Sequence, residues 1–436
     1  MNPEAIRNHL SKRVTPTYLK ESAGDESCCI FRISNRLRRI NSRAYEPDLL
    51  SIGPYHHGKK QLRMIEEHKP RFLRLFVEEA GKNGVGLEEL VDTVSRNEEA
   101  FRRCYSENLV ELNREELMNM MLLDGCFILI LFFIVSRKLE LTGKDDPIFR
   151  MPWILPTIRS DLLLLENQIP LFLLEALFVT SRISPSGGLN KMAFKFFRYS
   201  TQLPERSRQS NYEIKAKHLL DLIRQTFIPF TSTNQVSLSI PSDSNPYLRL
   251  ITSARRLRNK GIVLTARKKA ETLLDIRLRN GVLEIPPLVL DDFIGQVFLN
   301  FVAFEQFYGY CSNHITSYVA FMGCLMNDED DARFLNKKGI MENYFETDEE
   351  VSRFFKSVGK DAAFDISRSY LAEVFQGLNK HTSKGYVVRY EELKHTFFGS
   401  SWTLLASCAA LLLLALTLIQ TSLAVGSYFR IDNKRN

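Results

Sequence analysis

The chain has 436 residues, of which 44% are hydrophobic and 25% charged, and its formal net charge is +7. With a mean hydropathy of −0.16, the composition excludes a disordered chain, a collagen-like chain and a multi-span membrane protein. The chain is long enough for two or three domains. Thirty phenylalanines beside only 21 glycines and 16 prolines favour packed helices over a β fold with many turns.

The cysteines and the N-terminus indicate a reducing compartment. The seven cysteines are an odd number and lack the spacing of a disulfide framework, so the simpler interpretation is that their thiols are reduced. Residues 1–27 are polar and contain no apolar stretch of the kind a signal peptide needs. We predict that 1–27 are poorly ordered and that the folded domain begins at residue 28.

Apolar side chains recur at helical spacing through the first half. This periodicity predicts helices over 72–80, 87–105 and 214–227. The more apolar segment 118–135 has only 11 consecutive uncharged residues, too few to cross a bilayer. We therefore expect a buried central helix there rather than a membrane pass. Residues 161–179 are predicted to form a helix pair interrupted at Pro170, whose ring removes a backbone donor.

The second half begins after a segment, 229–247, that is rich in Ser, Thr, Asn and Pro, and we predict a flexible loop between two halves. Asn280-Gly281 lies between two apolar runs and predicts a β-hairpin over 274–285. A further helix is predicted to carry Arg255, Arg256 and Arg258 and to be closed by Gly261 as a C-cap. Others are predicted over 291–326 (as one helix or two), over 328–338 with Gly339 as its cap, from the capping box of Thr347 and Glu350, and from about 367. The fold class is thus mainly α, with a small β-hairpin element.

An uncharged segment of 24 residues, 402–425, lies near the C-terminus. It is long enough to span a hydrocarbon core of about 30 Å. We predict a transmembrane helix whose anchor residues include Trp402, Leu411, Leu414 and Val425. The domain prediction is therefore a helical domain over 28–398, a membrane helix over 402–425 and a short basic tail over 426–436.

The position of this segment favours one orientation in a plasma membrane or endomembrane. Only 11 residues follow Val425, so insertion comes late and favours a tail anchor with the large domain in the cytosol. No asparagine begins an Asn-x-Ser/Thr sequon, which also disfavours exposure to the lumen. Three basic residues flank each side of the segment, so the positive-inside rule leaves the opposite topology open.

The chain lacks the common catalytic motifs. It has no Gly-rich phosphate loop, no His-Glu-x-x-His, no Gly-x-Ser-x-Gly and no Cys-x-x-Cys. We therefore predict no enzyme, no cofactor and no metal, and leave any small-molecule substrate unknown. The nearest metal-like group is His56-His57 with His68, but its spacing does not complete a tetrahedral site.

Two polar groups interrupt apolar runs, and buried polar groups need partners or a task. They are Glu166-Asn167-Gln168 and Glu305-Gln306. We expect buried hydrogen-bond networks that fix helix register. The alternative is an uncharacterised enzyme whose site lies near Glu166, Glu305 and His56.

A basic stretch spans 255–269 and contains seven cations. We expect an ordinary solvated face, with attraction to an anionic membrane leaflet as the functional alternative. Nucleic acid is disfavoured because no aromatic interleaving or reader motif accompanies the charges. The candidate surface residues are Arg255, Arg256, Arg258, Lys268 and Lys269.

Several strings resemble signatures of the plant family called domain of unknown function 247. They include Ser51-Ile-Gly-Pro-Tyr-His-His-Gly58, Leu123-Asp-Gly-Cys-Phe127 and the Leu-Glu-Asn-Gln-Ile-Pro ending at Pro170. The similarity extends from about residue 28 to 428. The chain departs from the family at Ile33-Ser34, where Val-Pro is usual, and at Phe304, where Tyr is usual. The candidate motif positions are Gly53, Pro54, Tyr55, His56, His57, Gly58, Glu166, Asn167, Gln168, Glu305 and Gln306.

The resemblance implies a plant protein that ends in one transmembrane helix and has no assigned catalytic residues. Links of some grass members to pollen–stigma self-incompatibility imply recognition roles. Our first hypothesis is a membrane-anchored recognition or signalling protein that binds another protein, whose identity is unknown. The enzyme and the lipid-surface binder described above remain the alternatives.

Overall fold

The computed structural model describes residues 25–107, 109, 112–136, 146–183, 188–198, 213–228, 250–383 and 401–432. The predicted loop over 229–247 lies outside these residues, as do residues 1–24 of the predicted poorly ordered N-terminus. The α-helices are α1 Asn35–Arg38, α2 Arg63–Glu66, α3 Lys69–Gly81, α4 Leu87–Arg96, α5 Glu98–Arg102, α6 Arg114–Val135, α7 Pro147–Arg150, α8 Ile154–Asp161, α9 Leu171–Thr180, α10 Gly188–Phe196, α11 Leu219–Phe227, α12 Ala254–Asn259, α13 Asp292–Phe307, α14 His314–Leu325, α15 Glu329–Lys337, α16 Asp348–Asp361, α17 Ala372–Thr382 and α18 Ser401–Asp432.

The chain is mainly helical with a few short strands, as the composition predicts. Short 3₁₀ turns cover Ser42–Tyr45, Lys60–Leu62 and Ile366–Arg368. The strands are β1 Val263–Ala266, β2 Arg277–Arg279, β3 Val282–Ile285, β4 Leu288–Leu290 and β5 Met341–Asn343.

The apolar segment predicted as a central helix forms α6, and its side chains are buried almost all around. Helices α3, α4, α9 and α10 pack against it, and Phe rings meet at this junction, for example Phe72 with Phe127 at 4.8 Å between centroids. By length and composition α6 could cross a membrane, yet 72% of its most apolar window is buried inside the protein. A buried core helix accounts for that composition without a membrane.

The predicted hairpin is confirmed. Strands β2 and β3 pair antiparallel around Asn280 and Gly281, both with positive φ (51° and 78°) as the tight turn requires. Two pairings were not predicted: β1 adds to β3 in parallel, and β4 pairs with β5 in parallel. Parallel partners lie far apart in sequence, so no turn residue announces them.

Several predicted helices differ from the observed ones. The predicted 87–105 helix is two, α4 and α5. The 291–326 segment, predicted as one helix or two, forms two, α13 and α14. The helix predicted over 214–227 begins only at Leu219. The prediction of a helix pair over 161–179 is wrong in its first part, because 162–169 is not helical between α8 and α9.

The C-terminal helix α18 covers the segment predicted to span a membrane. Its side chains are described at residue 405 and over 409–424, and its leucines there are 51–69% exposed. Among the described residues only α6 is long and apolar enough to cross a membrane, and the apolar part of α18, Ala409–Ala424, is shorter than such a span. The structure therefore does not support the predicted transmembrane helix, which stays a prediction. Residues 433–436 of the predicted basic tail lie outside the described part.

Candidate functional site

The Glu166-Asn167-Gln168 segment lies in the non-helical stretch between α8 and α9, and side chains replace the missing helical hydrogen bonds. The Asn167 amide donates to the carbonyls of Leu50 and Asp161, each at 2.9 Å, and accepts from the Ile52 N–H at 2.7 Å. The Gln168 amide donates to the carbonyls of residues 162 and 164 at 2.7 and 2.8 Å. Both side chains are buried. Because they bond the backbone of a non-helical stretch, this network fixes the conformation of a loop and not the register of a helix.

Asp161, at the end of α8, fixes the segment just before the His-His-Gly motif. Its carboxylate accepts the N–H groups of Asp48, Leu49 and Leu50 at 3.0, 2.8 and 2.7 Å. Burial raises the pKa of Asp161 to about 7, although these three N–H groups oppose the shift. The pair of Asp161 and Asn167 therefore ties 48–52 to the α8–α9 connection.

Glu166 is the centre of a charged cluster beneath the N-terminal segment. Its carboxylate, with a side chain 0% exposed, lies 2.7 Å from the Arg38 guanidinium and 3.4 Å from that of Arg32. It accepts the Ile33 N–H at 2.5 Å. The buried His56 places Nε2 3.4 Å from Glu166 Oε2, without the alignment of a hydrogen bond.

These neighbours determine the charge of Glu166. Burial alone raises the pKa of this carboxyl, but the His56 imidazole, the Ile33 N–H and the Arg38 guanidinium outweigh it and lower the pKa to about 2. Glu166 is therefore ionised at neutral pH. Arg38 also binds Glu46 at 2.6 Å, and Glu46 binds Lys59 at 2.5 Å.

The other residues of the string 51–58, which contains the His-His-Gly motif, either support the local fold or are exposed. Gly53, with φ +71°, would place a Cβ 2.6 Å from the Gln168 carbonyl. Tyr55 is buried beneath the Arg32 guanidinium, 4.2 Å from its ring centroid. Pro54 is half-buried, and His57 is exposed.

A second buried cluster lies beside Gly53. The Lys69 ammonium donates to the Ser51 carbonyl at 2.6 Å and lies 2.5 Å from Glu66 and 2.6 Å from Asp124. Asp124 in turn accepts the Gly53 N–H at 2.7 Å. The buried ammonium therefore has one hydrogen-bond acceptor and two carboxylates in ion-pair contact, and this cluster links α3 to α6.

Glu305 belongs to a different network in the second half. It accepts the N–H groups of Ile315 and Thr316 at 3.1 and 2.7 Å, and it pairs with the buried Arg224 at 3.0 Å. Burial raises the pKa of Glu305 against these partners. Gln306 points elsewhere and exchanges two hydrogen bonds with the backbone of Ala363 at 3.1 and 2.6 Å.

The buried His218 completes the Arg224 region. Its Nδ1 accepts the Asp221 N–H at 3.2 Å and its Nε2 lies 3.1 Å from the Cys29 carbonyl. Burial lowers the pKa of His218 to about 4, so the ring is neutral at pH 7 and donates from Nε2. This contact joins α11 to the N-terminal segment.

The residues named for a possible enzyme site are only partly brought together. Glu166 and His56 lie in contact, but both are buried, while the hydrogen-bond and ion-pair partners of Glu305 belong to another network. Within the described part of the chain, no group of three or more His, Cys, Asp or Glu is placed to hold a metal ion.

Sequence reasoning missed the charged partners that complete these clusters. The contacts of Arg38 with Glu166 and of Arg224 with Glu305 carried no visible signal, because these partners lie 128 and 81 residues apart in the chain. Asp124 did carry one, because it is a lone carboxylate in the apolar run of α6. A lone buried carboxylate requires a cation or several donors, and here it has Lys69.

Acidic side chains of the same chain neutralise part of the basic stretch 255–269. Arg255 pairs with Asp328, Asp330 and Asp331 at 2.8–3.5 Å, and Arg267 pairs with Asp275 and Glu284. The remaining candidates of this surface are exposed, namely Arg256, Arg258, Lys268 and Lys269.

The four predicted anchor residues all lie on α18. Leu411 and Leu414 are 66% and 61% exposed on α18. Trp402 and Val425 lie on the same helix, but their side chains fall outside the described ones.

The comparisons with known proteins agree with the motif strings. A family model, DUF247, described as a plant protein of unknown function, matches residues 30–416. The chain is 47% identical to the UPF0481 protein At3g47200 of Arabidopsis thaliana, over 99% of this chain and 93% of that protein. It is 22% identical to the putative UPF0481 protein At3g02645 of the same plant, over 92% and 91%. No solved structure matches the chain. The chain therefore belongs to the DUF247 family of plant proteins of unknown function.

Proposed function

We propose that this protein is a membrane-anchored recognition protein that binds another protein through the surface of its helical domain. The observation that carries the membrane-anchored part of the proposal is the contrast between α18 and the rest of the chain. The described leucines of α18 are 51–69% exposed, whereas those of α6 and α9 are almost all buried. Exposing so many leucines to water costs roughly 1.5–3 kcal/mol for each side chain.

A hydrocarbon environment removes that cost. The backbone of α18 satisfies its own hydrogen bonds, and Thr417 and Thr421 donate to the carbonyls one turn earlier at 2.7 Å. A helix with internally satisfied polar groups suits a bilayer. We propose that the large domain faces the cytosol, with the lumenal orientation as the competing outcome of a topology test.

The clusters around Glu166, Lys69 and Arg224 support a binding role rather than catalysis. Their charged groups are paired and buried, so they stabilise the scaffold and leave the surface to act. An enzyme at Glu166, Glu305 and His56 would need one accessible cleft shared by all three side chains. No contact of the described residues favours that alternative.

Proximity labelling with the full chain tests the proposal. A labelling enzyme at the N-terminus is expected to mark a reproducible set of proteins in the native tissue. The matched control carries the same enzyme on residues 395–436 alone, which keeps the predicted anchor and removes the domain. A set unique to the full chain supports recognition by the domain. Identical sets from the two fusions would contradict it.

Lipid-surface contact is the second candidate, favoured by four exposed cations at Arg256, Arg258, Lys268 and Lys269. Energy transfer to the membrane surface tests this candidate. A donor dye is attached at Val263→Cys, a 55% exposed position, on the full chain in nanodiscs whose lipid headgroups carry an acceptor dye. Anionic lipid is expected to increase energy transfer, and R256A/R258A to abolish the increase. The control R63A/R74A removes two exposed charges elsewhere. Equal transfer with neutral and anionic lipid would contradict this candidate.

A further inference from the structure

An open cleft of about 870 Å³ lies between residues 38–43 and the N-terminal ends of α13 and α16. Its volume falls within the range of ligand sites, about 300–1,000 Å³. The 38–43 side carries Arg38, Arg39 and Arg43, and the opposite side carries Tyr344 and two phenylalanines. We propose that this cleft docks a protein segment bearing two adjacent acidic side chains and an aromatic side chain. The inference rests on the proposed recognition function and names its site.

Four arginines line the cleft and differ in their partners. Arg353, on the aromatic side, pairs with Glu349 at 2.7 Å. Arg38 is held at 2.6 and 2.7 Å by Glu46 and Glu166, so the buried cluster positions its guanidinium. Arg39 and Arg43 are exposed, and their side chains have no hydrogen bond or ion pair within the described residues. A guanidinium presents a planar fork of donors that matches a carboxylate in bidentate geometry. These two arginines therefore supply the unsatisfied donors of the cleft.

The aromatic side of the cleft suits the aromatic side chain of the proposed protein segment. The Tyr344 ring is 65% exposed, and its hydroxyl donates to Glu342 at 2.8 Å. The half-buried Phe345 and Phe354 pack edge to face at 6.0 Å between centroids. An exposed tyrosine beside two rings offers apolar area to an aromatic side chain.

The acidic residues of the cleft narrow the ligand class. Asp292, Glu346 and Glu350 line the cleft. Asp292 and Glu350 lie in the first turns of α13 and α16, where the helix dipole stabilises carboxylates. They repel a uniformly anionic polymer, which disfavours nucleic acid. A short acidic pair placed on the arginine side avoids that repulsion, so a protein segment fits better than a polyanion.

Binding of a defined peptide to the full chain in detergent tests the inference. The probe is a fluorescent peptide, Gly-Glu-Glu-Phe-Gly, with Gly-Gln-Gln-Phe-Gly as its neutral match, followed by anisotropy at low and high salt. We expect saturable binding of the acidic probe and at least tenfold weaker binding of the neutral one. The variant R39E/R43E is expected to weaken the acidic probe at least tenfold, an effect about equal to 1.4 kcal/mol.

The control variant R63E/R74E makes the same charge change at two exposed arginines on α2 and α3, away from the residues that line the cleft. It is expected to leave the affinity within about twofold, and thermal unfolding verifies that both variants fold. Equal weakening by both variants, unchanged binding by R39E/R43E, or no saturation up to about 1 mM would overturn the inference. If proximity labelling still gives a domain-specific set in that case, the docking site is wrong and the recognition function stands.

Discussion

At Glu166 a single carboxylate connects three segments of the chain that are distant in sequence. Arg38 and the Ile33 N–H come from the N-terminal segment, His56 from the His-His-Gly motif, and Glu166 from the α8–α9 connection. Charges taken out of water are tolerated only when they are paired in this way. From the sequence, the polar residues inside apolar runs could be predicted to form buried hydrogen-bond networks. Their partners were not, because the contacts form only once the chain has folded.

Glu166→Gln should strongly destabilise the domain. It leaves the half-buried Arg38 with one carboxylate instead of two, and removal of one partner of a buried pair costs about 3–5 kcal/mol. Urea unfolding of the full chain in detergent measures the change. The control Glu107→Gln breaks the exposed pair with Arg32 and should cost less than about 1 kcal/mol. Similar losses in both variants would contradict the account of this cluster.

The same variant predicts a pH dependence. The folded pKa of Glu166 is about 2, below its usual value of 4.5, so its stabilisation is complete above pH 4.5 and lost as pH falls toward 2. The difference in unfolding free energy between wild type and Glu166→Gln should therefore be constant from pH 8 to 5 and shrink below pH 4.5. A difference that grows in acid would contradict the assigned charge.

Gly53 and Gly58 form a matched pair of substitutions within one motif. Both have positive φ, 71° and 77°, but only at Gly53 would a Cβ meet backbone, at 2.6 Å from the Gln168 carbonyl. Gly58→Ala should cost about 1 kcal/mol from backbone strain alone. Gly53→Ala should cost about 3 kcal/mol or more, as the loop over 162–169 must shift. Equal midpoints in thermal unfolding would contradict the close approach.

At the level of elements, local signals predicted the helices well and the connections poorly. The capping side chain of Thr347 accepts the Glu350 N–H at 3.2 Å, and Gly261 and Gly339 end their helices with positive φ, as predicted. The segment 162–169 has a helical apolar pattern yet folds as a loop. Asn167 and Gln168 donate to the carbonyls of residues 161, 162 and 164, and no periodicity reveals these contacts. Parallel pairing of β1 with β3 is equally invisible to local patterns.

Helix α13 joins the two halves of the domain through Asn300. The Asn300 amide donates to the Ala44 carbonyl at 2.8 Å and accepts the Leu165 N–H at 2.9 Å. Asn300→Ala would leave both groups buried and unpaired, which costs about 2–4 kcal/mol. Gln306→Ala, on the same helix but partly exposed, should cost less than about 1 kcal/mol. Chemical denaturation compares the two, and a reversed order would contradict this role of α13.

Over the whole molecule, the composition is close to that of an average globular protein because the apolar helices α6 and α18 are averaged with a large polar body. The exposed leucines of α18 and the buried ones of α6 have similar hydropathy, and only their surroundings distinguish them. From the sequence the family, the helical class and the apolar C-terminal segment could be predicted. The cleft beside Arg39 and Arg43 could not, since its sides are some 300 residues apart in the chain.

The central claim, a cytosol-facing domain held by α18, is tested most directly by protease protection. Sealed microsomes carrying the full chain, with one tag before residue 1 and another after residue 436, are treated with protease. The account predicts that the N-terminal tag and the domain are digested, while the C-terminal tag survives until detergent opens the vesicles. Protection of the domain would place it in the lumen. Release of the intact chain by alkaline carbonate would show that α18 does not span the membrane.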